Sequence, residues 1–428
     1  MKMEILDILR AEVKPALGCT GPISVSLATA AARKAVKGIP QKIRIIMDKD
    51  TFKNCIAVIT PGTPFMGVLE PGVVGAFYGE PELGLEVLKN IKYIDVDFVR
   101  KFAKENAAIE INWELKSVGL YIEAYVETEN GIGHVIISEV HDRIVLEEVN
   151  GKVIKKEDNY DINSTKPEKT DSIRKFRIED FYEFASNIEI EKICFIKDAL
   201  KLNKSLADAG LNEKMGAKFG LGFEKLEGNN IYLRAKILAA AASDARMSGK
   251  NLSAMSCARS GNVGIAASVP LIAVAEGYGK SNEELVRAVC LSYLLTIYVK
   301  SHIGRLSAMC ACAIAASIGV GAGTSFLIDN DFGKIEMTIK NIAGSIGGIL
   351  CDGAKFGCAL KLSTAVGVAI ESSFLASEGI CIPNRDGIVC DNADDTIAML
   401  GRIARIGMIY TDEYMCKEII DREKINTD

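Results

Sequence analysis

The chain has 428 residues, 49% of them hydrophobic, which exceeds the usual size of a single core and excludes wholesale disorder, so two domains are expected. Its 51 basic and 56 acidic residues leave a net charge of −5, and no basic patch with interleaved aromatics is present, which argues against a nucleic-acid partner. The 38 glycines and many alanines, set against few aromatics, point to closely packed helices.

The first ten residues, MKMEILDILR, carry charges throughout and lack the apolar stretch of a signal peptide, so a cytoplasmic location is expected. In that compartment the twelve cysteines are expected to be free, catalytic or metal-bound rather than paired. Helices are predicted over Ile5–Leu17 and Ile23–Val36, and strands over Lys42–Met47 and Ile56–Thr60. A β-meander follows over Leu120–Glu127, Gly133–Glu139 and Arg143–Val149, with turns at Glu129-Asn130-Gly131 and at Asn150-Gly151. The polar segment 151–175 lacks an apolar period and reads as a linker. Beyond it the chain reads as helix, most clearly over Tyr232–Met247, Leu285–Val299, Ala308–Ile318, Leu362–Ala376 and Thr396–Gly407. The expected architecture is an α+β N-terminal domain over 1–150 followed by a mostly all-α C-terminal domain over 176–428. Ala308–Ile328 has no charge and is long enough to span a bilayer, but Ala, Gly, Ser and Cys gain little from lipid. It reads as a buried core helix, and no membrane is expected.

Four places carry residues suited to chemistry. Cys19, in Leu17-Gly18-Cys19-Thr20-Gly21-Pro22, stands before a helix whose positive end favours thiolate, so it is either a base or nucleophile or a small residue filling a tight turn. Cys351 and Cys358 lie seven residues apart, with Cys310 and Cys312 about forty upstream, a thiol set that suits an Fe–S or zinc site or, failing that, a packed core. On a helix Cys310 and Cys312 would point apart, leaving one of them to join Cys351 and Cys358. The small-residue loop around Ser260-Gly261-Asn262 opens an apolar helix and reads as a carboxylate site or an ordinary turn; it lacks both nucleotide-binding fingerprints. Lys300-Ser301-His302 and Arg305 follow another apolar helix, and His302 is one of three histidines.

Taken together, Glu12 to Thr20, Ala241-Ala242-Ser243-Asp244-Ala245-Arg246-Met247, Ser260-Gly261-Asn262 with Gly264-Ile265, Arg305 to Cys310, and Cys351 to Lys361 resemble the blocks of the L-cysteine desulfidases in the same order. Lys300-Ser301-His302 also resembles a motif of the iron–sulfur L-serine dehydratases, distant relatives of that family. The resemblance implies a [4Fe–4S] cluster on Cys310, Cys351 and Cys358, with Cys19 as proton acceptor. Two positions depart from the pattern: Gly21 stands where Glu is usual, and Val263 where Gln is usual.

The reaction this implies is β-elimination from L-cysteine to sulfide, ammonia and pyruvate, without pyridoxal phosphate. Ser260, Gly261 and Asn262 would hold the substrate carboxylate, with Lys300, His302 or Arg305 nearby. An iron–sulfur serine dehydratase, a zinc-stabilised binding protein and a membrane transporter are the other readings. A small-molecule substrate is the expected partner, and a homo-oligomer is left open.

Overall fold

In a computed structural model the described residues are all except 19, 116–119, 158–168, 227, 229, 305, 306 and 426–428. An N-terminal α/β region with a mixed sheet precedes a mostly helical part. The chain begins with α1 (Lys2–Glu12), β1 (Val13–Leu17), α2 (Thr20–Val36), β2 (Lys42–Asp48), α3 (Lys49–Cys55), α4 (Leu69–Tyr78), α5 (Val96–Asn106) and β3 (Ala107–Asn112). The strands β4 (Tyr121–Thr128), β5 (Gly131–Ser138), β6 (Ile144–Val149) and β7 (Lys152–Lys156) complete a six-stranded sheet of order β3-β2-β4-β5-β6-β7. Within this sheet β2 and β3 run parallel, with three α-helices between them, β2 and β4 pair antiparallel across the same excursion, and hairpins join β4 through β7. Alternation puts Ile43, Ile45, Met47, Ile122, Ala124, Val126, Val135 and Ile137 against α2 and α4, forming one core.

The helical part contains α6 (Ile178–Asn187), α7 (Ile196–Asn212), α8 (Phe219–Phe223), α9 (Ile231–Met247), β8 (Ser253–Cys257), α10 (Gly261–Gly277), α11 (Asn282–Ile303), α12 (Ile314–Ile328), α13 (Phe332–Ile346), α14 (Cys358–Ser377), α15 (Ala393–Arg402) and α16 (Ile409–Ile425). Helix α12 is buried from Ile314 to Leu327, enclosed by α10, α11, α13 and α14; an all-round apolar helix needs such company. The described helix long and apolar enough to cross a bilayer is α14, and it packs against α9, α12 and α13.

Several expectations need correction. The first helix stops at Glu12, because Pro15 cannot sit inside it, and Val13–Leu17 instead pairs antiparallel with β8. Ile56–Thr60 forms only isolated bridges, Ala57 with Lys355 and Ile59 with Met66. The turn at Asn150-Gly151 has the expected positive φ angles, +53° and +76°, but it leads into an edge strand within the segment read as linker. That strand is fully exposed and lysine-rich, which hides it from a hydrophobic pattern and guards the edge. Residues 308–313 are not helical, because Met309 bridges to Leu350; the helix starts at Ile314.

The chain passes between the two cores more than once. Ile5, Leu6, Leu9 and Val13 belong to the helical core, and Ile420 of α16 to the α/β core. This interleaving brings α2 and α3 against the loops of the helical part, and a pocket opens there.

Candidate active site

A cavity of about 140 Å³ lies between α2, α3, the start of α10 and the cysteine-bearing loops. It is smaller than the ~300 Å³ at which drug-sized pockets begin, so it suits a small ligand. Cys310, Cys312, Cys351 and Cys358 all line it.

The thiol wall is built by pairing two loops. Cys310 donates its N–H to the carbonyl of Ile349 at 2.8 Å, and Cys351 donates to that of Ala308 at 2.6 Å. The two hydrogen bonds flank the Met309–Leu350 bridge and hold Cys310 and Cys351 side by side. Cys358 opens α14 and turns its thiol to the carbonyl of Gly353 at 3.7 Å. The thiol of Cys312 pushes the pKa of Cys310 up, with Cys351 acting in the opposite sense. Contact with Cys310 raises Cys351, and burial raises Cys358. Thiols that oppose one another's ionisation become a thiolate set when a cation sits among them, and their softness suits iron. The donor set of Cys310, Cys351 and Cys358 therefore fits an iron–sulfur cluster. The helical geometry that would have turned Cys312 away does not apply, since residues 308–313 are irregular, and Cys312 stays beside Cys310.

A second group, Asp50, Asp412 and Cys416, has the composition of a metal site but already holds two cations. The ammonium of Lys53 lies 2.6 Å from Asp412 and 3.3 Å from Asp50, and that of Lys49 lies 2.6 Å and 3.1 Å from the same two carboxylates. It is an ion-pair network that clamps α16 onto α3.

Opposite the thiols stands the N-terminus of α10. Ala258 and Arg259 precede it in left-handed backbone, with φ of +47° and +62°, and the Ser260 hydroxyl accepts from the N–H of Val263. Ser260 and Asn262 line the cavity, as do Ala258 and Arg259. Lys300 also lines the cavity; it is 6% exposed and donates from Nζ to the carbonyl of Ala258 at 2.7 Å, so it supports the turn. His302 lies elsewhere: its ring meets Tyr298 edge-on at 4.8 Å and its Cβ backs onto Gly401 of α15. Cys19 and Arg305 lie outside the described residues, although Thr20, next to Cys19, lines the cavity. At Gly21, where the related pattern has Glu, a β-carbon would come within 2.7 Å of the Cys55 sulfur, so the thiol of Cys55 takes that room.

Among the lining residues not singled out as site residues from sequence are Arg246 and His141. Arg246 had a visible signal, an arginine in the otherwise Ala-rich helix Tyr232–Met247; His141 sits in a polar turn with no signal at all.

A model of the family "Serine dehydratase alpha chain" matches residues 90–417. The chain belongs to the serine dehydratase alpha-chain family. It is a family of iron–sulfur-dependent lyases. The match takes in all four site cysteines, Arg246 and α10, and begins after Cys19. Full-length similarity extends further. A protein named UPF0597 from Clostridium botulinum (strain Langeland) is 40% identical over 427 residues, covering 98% of this chain and 99% of the relative. UPF0597 proteins from Clostridium tetani and Caldanaerobacter subterraneus are 37% and 38% identical, each covering 98% of both chains.

Proposed function

We propose that this family member is a [4Fe–4S]-dependent L-cysteine desulfidase, releasing sulfide, ammonia and pyruvate. The observation that carries the reading is the convergence of Cys310, Cys351 and Cys358 on one small cavity, opposite a helix N-terminus suited to a carboxylate. Those three thiols would hold the cluster. When bound, it supplies a Lewis-acidic iron for the departing sulfur.

The chain's own residues supply the rest. N–H groups at Ser260-Gly261-Asn262 receive the substrate carboxylate, and Lys300 keeps that turn in place. Cys19, the proton acceptor by resemblance, takes the Cα proton as the Cβ–S bond breaks and the C=C bond forms. The aminoacrylate released tautomerises to an imine, and water hydrolyses it to pyruvate and ammonia.

The family description favours a second reading, L-serine dehydration, and so does His141 in the cavity wall, since hydroxide leaves poorly without an acid. The soft, four-thiol wall supports the cysteine reading, because thiolate is the better partner for soft iron. One anaerobic preparation assayed for pyruvate from both amino acids, and for sulfide from cysteine, separates the two. A kcat/KM for cysteine well above that for serine is expected. Equal or greater efficiency with serine makes the protein a dehydratase.

A further inference from the structure

Arg246 is a cation enclosed in the protein beside the cavity, and it is 5% exposed. Its Nη1 donates to the Asn262 side-chain oxygen at 3.1 Å and its Nη2 to the carbonyl of Gly18 at 2.6 Å. Both partners are neutral. Among the described residues no carboxylate lies within ion-pair distance, and its buried Nε has no hydrogen-bond partner. A guanidinium is charged at every working pH, and burying a charge without its opposite is costly, so this arrangement calls for an anion.

The direction of the guanidinium tells where that anion sits. Gly261 is the first residue of α10, and a β-carbon there would overlap Nε of Arg246. Glycine at 261 thus lets the guanidinium lie against the helix start. The N–H groups of Gly261 and Asn262, in the first turn of a 17-residue helix, find no acceptor among the described residues. Helix dipole, open N–H groups and guanidinium all favour negative charge at one point.

We infer that Arg246 and the first turn of α10 form the binding site for the α-carboxylate of an amino-acid substrate, with Arg246 supplying the charge. Lys300 holds the Ala258 carbonyl and Arg246 the Asn262 side chain, and both line the cavity. The same guanidinium holds the carbonyl of Gly18, so carboxylate binding and the end of the β1 segment share one side chain. The inference rests on the lyase reading for the identity of the substrate. It does not depend on whether the leaving group is a thiol or a hydroxyl.

L-alanine, which has no leaving group, tests the site without turnover. Calorimetry on the anaerobically purified holoenzyme should show L-alanine binding, and L-alaninamide, its uncharged carboxamide, binding about a hundredfold more weakly. Arg246→Gln should lose about a hundredfold in alanine affinity with iron content unchanged, and Arg246→Lys should recover part of it. Should Arg246→Gln fold poorly, the alanine–alaninamide comparison on the wild type still decides. Equal affinity for alanine and alaninamide, equal alanine affinity in Arg246→Gln and wild type, or no alanine binding to the wild type overturns the assignment. Arg246-dependent alanine binding without sulfide release from cysteine sinks the desulfidase reading alone. Sulfide release with Arg246-independent binding sinks this inference alone.

Discussion

Lys300→Met removes the ammonium that holds the Ala258 carbonyl before α10 and leaves most of the side-chain stem in place. Ala258 and Arg259 occupy left-handed backbone without being glycine, at a cost on the order of 1–2 kcal/mol each. Among the tethers that hold them are Lys300 Nζ on the Ala258 carbonyl at 2.7 Å, the Ala258 N–H on the Glu12 carbonyl at 3.0 Å, the Arg259–Glu12 ion pair at 4.0 Å, and the Cys257–Ser260 backbone pair. A hydrogen bond from a buried charged donor contributes about 1.5–3 kcal/mol. Losing roughly 2 kcal/mol makes local opening roughly thirtyfold more frequent. Hydrogen exchange read by mass spectrometry should therefore speed up by about that factor across 257–262, with α12 and the sheet unaffected. Adding Ala258→Gly should recover about fivefold, since glycine takes a φ of +47° without the β-carbon penalty, worth about 1 kcal/mol. Unchanged exchange across 257–262, or acceleration spread evenly over the helical part, refutes this account of Lys300.

Cys310→Ala, Cys351→Ala and Cys358→Ala should each lose iron, while Cys312→Ala keeps it; iron analysis showing the reverse for 310 and 312 exchanges their roles. Cys19→Ser should retain iron but lose turnover, because a hydroxyl is too weak an acid to act as the Cα base, so near-normal pyruvate formation removes Cys19 from the mechanism. Lys53, 1% exposed, sits between Asp50 and Asp412, so Lys53→Met leaves Lys49 alone on the two carboxylates and should destabilise the α3–α16 contact by about 1.5–3 kcal/mol. Exchange in α16 as slow as in the wild type counts against that clamp. Both ring nitrogens of His134 face carboxylates, Glu123 at 2.8 Å and Glu148 at 2.7 Å; burial opposes the charge, but the two carboxylates prevail and raise its pKa. Its stabilisation of β4–β6 is then complete below pH 6.5 and fades as pH rises through the elevated value. Burial works against Glu123 too, yet His134 and two tyrosines bring it to about 2, so its contribution is present above pH 4.5 and is lost only near pH 2. Thermal melts of wild type and His134→Gln should therefore converge in alkali, and a constant gap from pH 6 to pH 10 rules the imidazolium out.

Holding the cysteines and holding the substrate are tasks given to different parts of the chain. The thiol loops are joined to each other by backbone pairing and to the segment after α3 through Ala57 and Lys355. The carboxylate side is built on β8, which finds its partner in β1 at the other end of the sequence. Arg246 ties the start of α10 to the junction of β1 and α2 through Asn262 and Gly18. A substitution anywhere in β1 is therefore expected to act on the site without touching it.

What the sequence determined by itself was local. The period of two along 121–149 and the Asn-Gly turn specified the meander, because strand alternation and left-handed turn residues are properties of neighbours in the chain. The thiols and the Ser260-Gly261-Asn262 turn were legible for the same reason, as residue types with few ordinary uses at such spacings. Everything that depended on a distant partner was decided by the tertiary structure. Val13–Leu17 is a strand because Ser253–Cys257 offers it an edge, and 308–313 is irregular because Leu350 pairs with Met309. His302 lies against Tyr298 and Gly401, while Arg246 reaches the cavity because Gly261 has no side chain to keep it out. Periodicity reports the surroundings of a residue averaged over one turn or one pleat. Which charge faces which helix end depends on contacts more than two hundred residues apart in the chain, such as Arg246 with Gly18, and no local pattern carries that information.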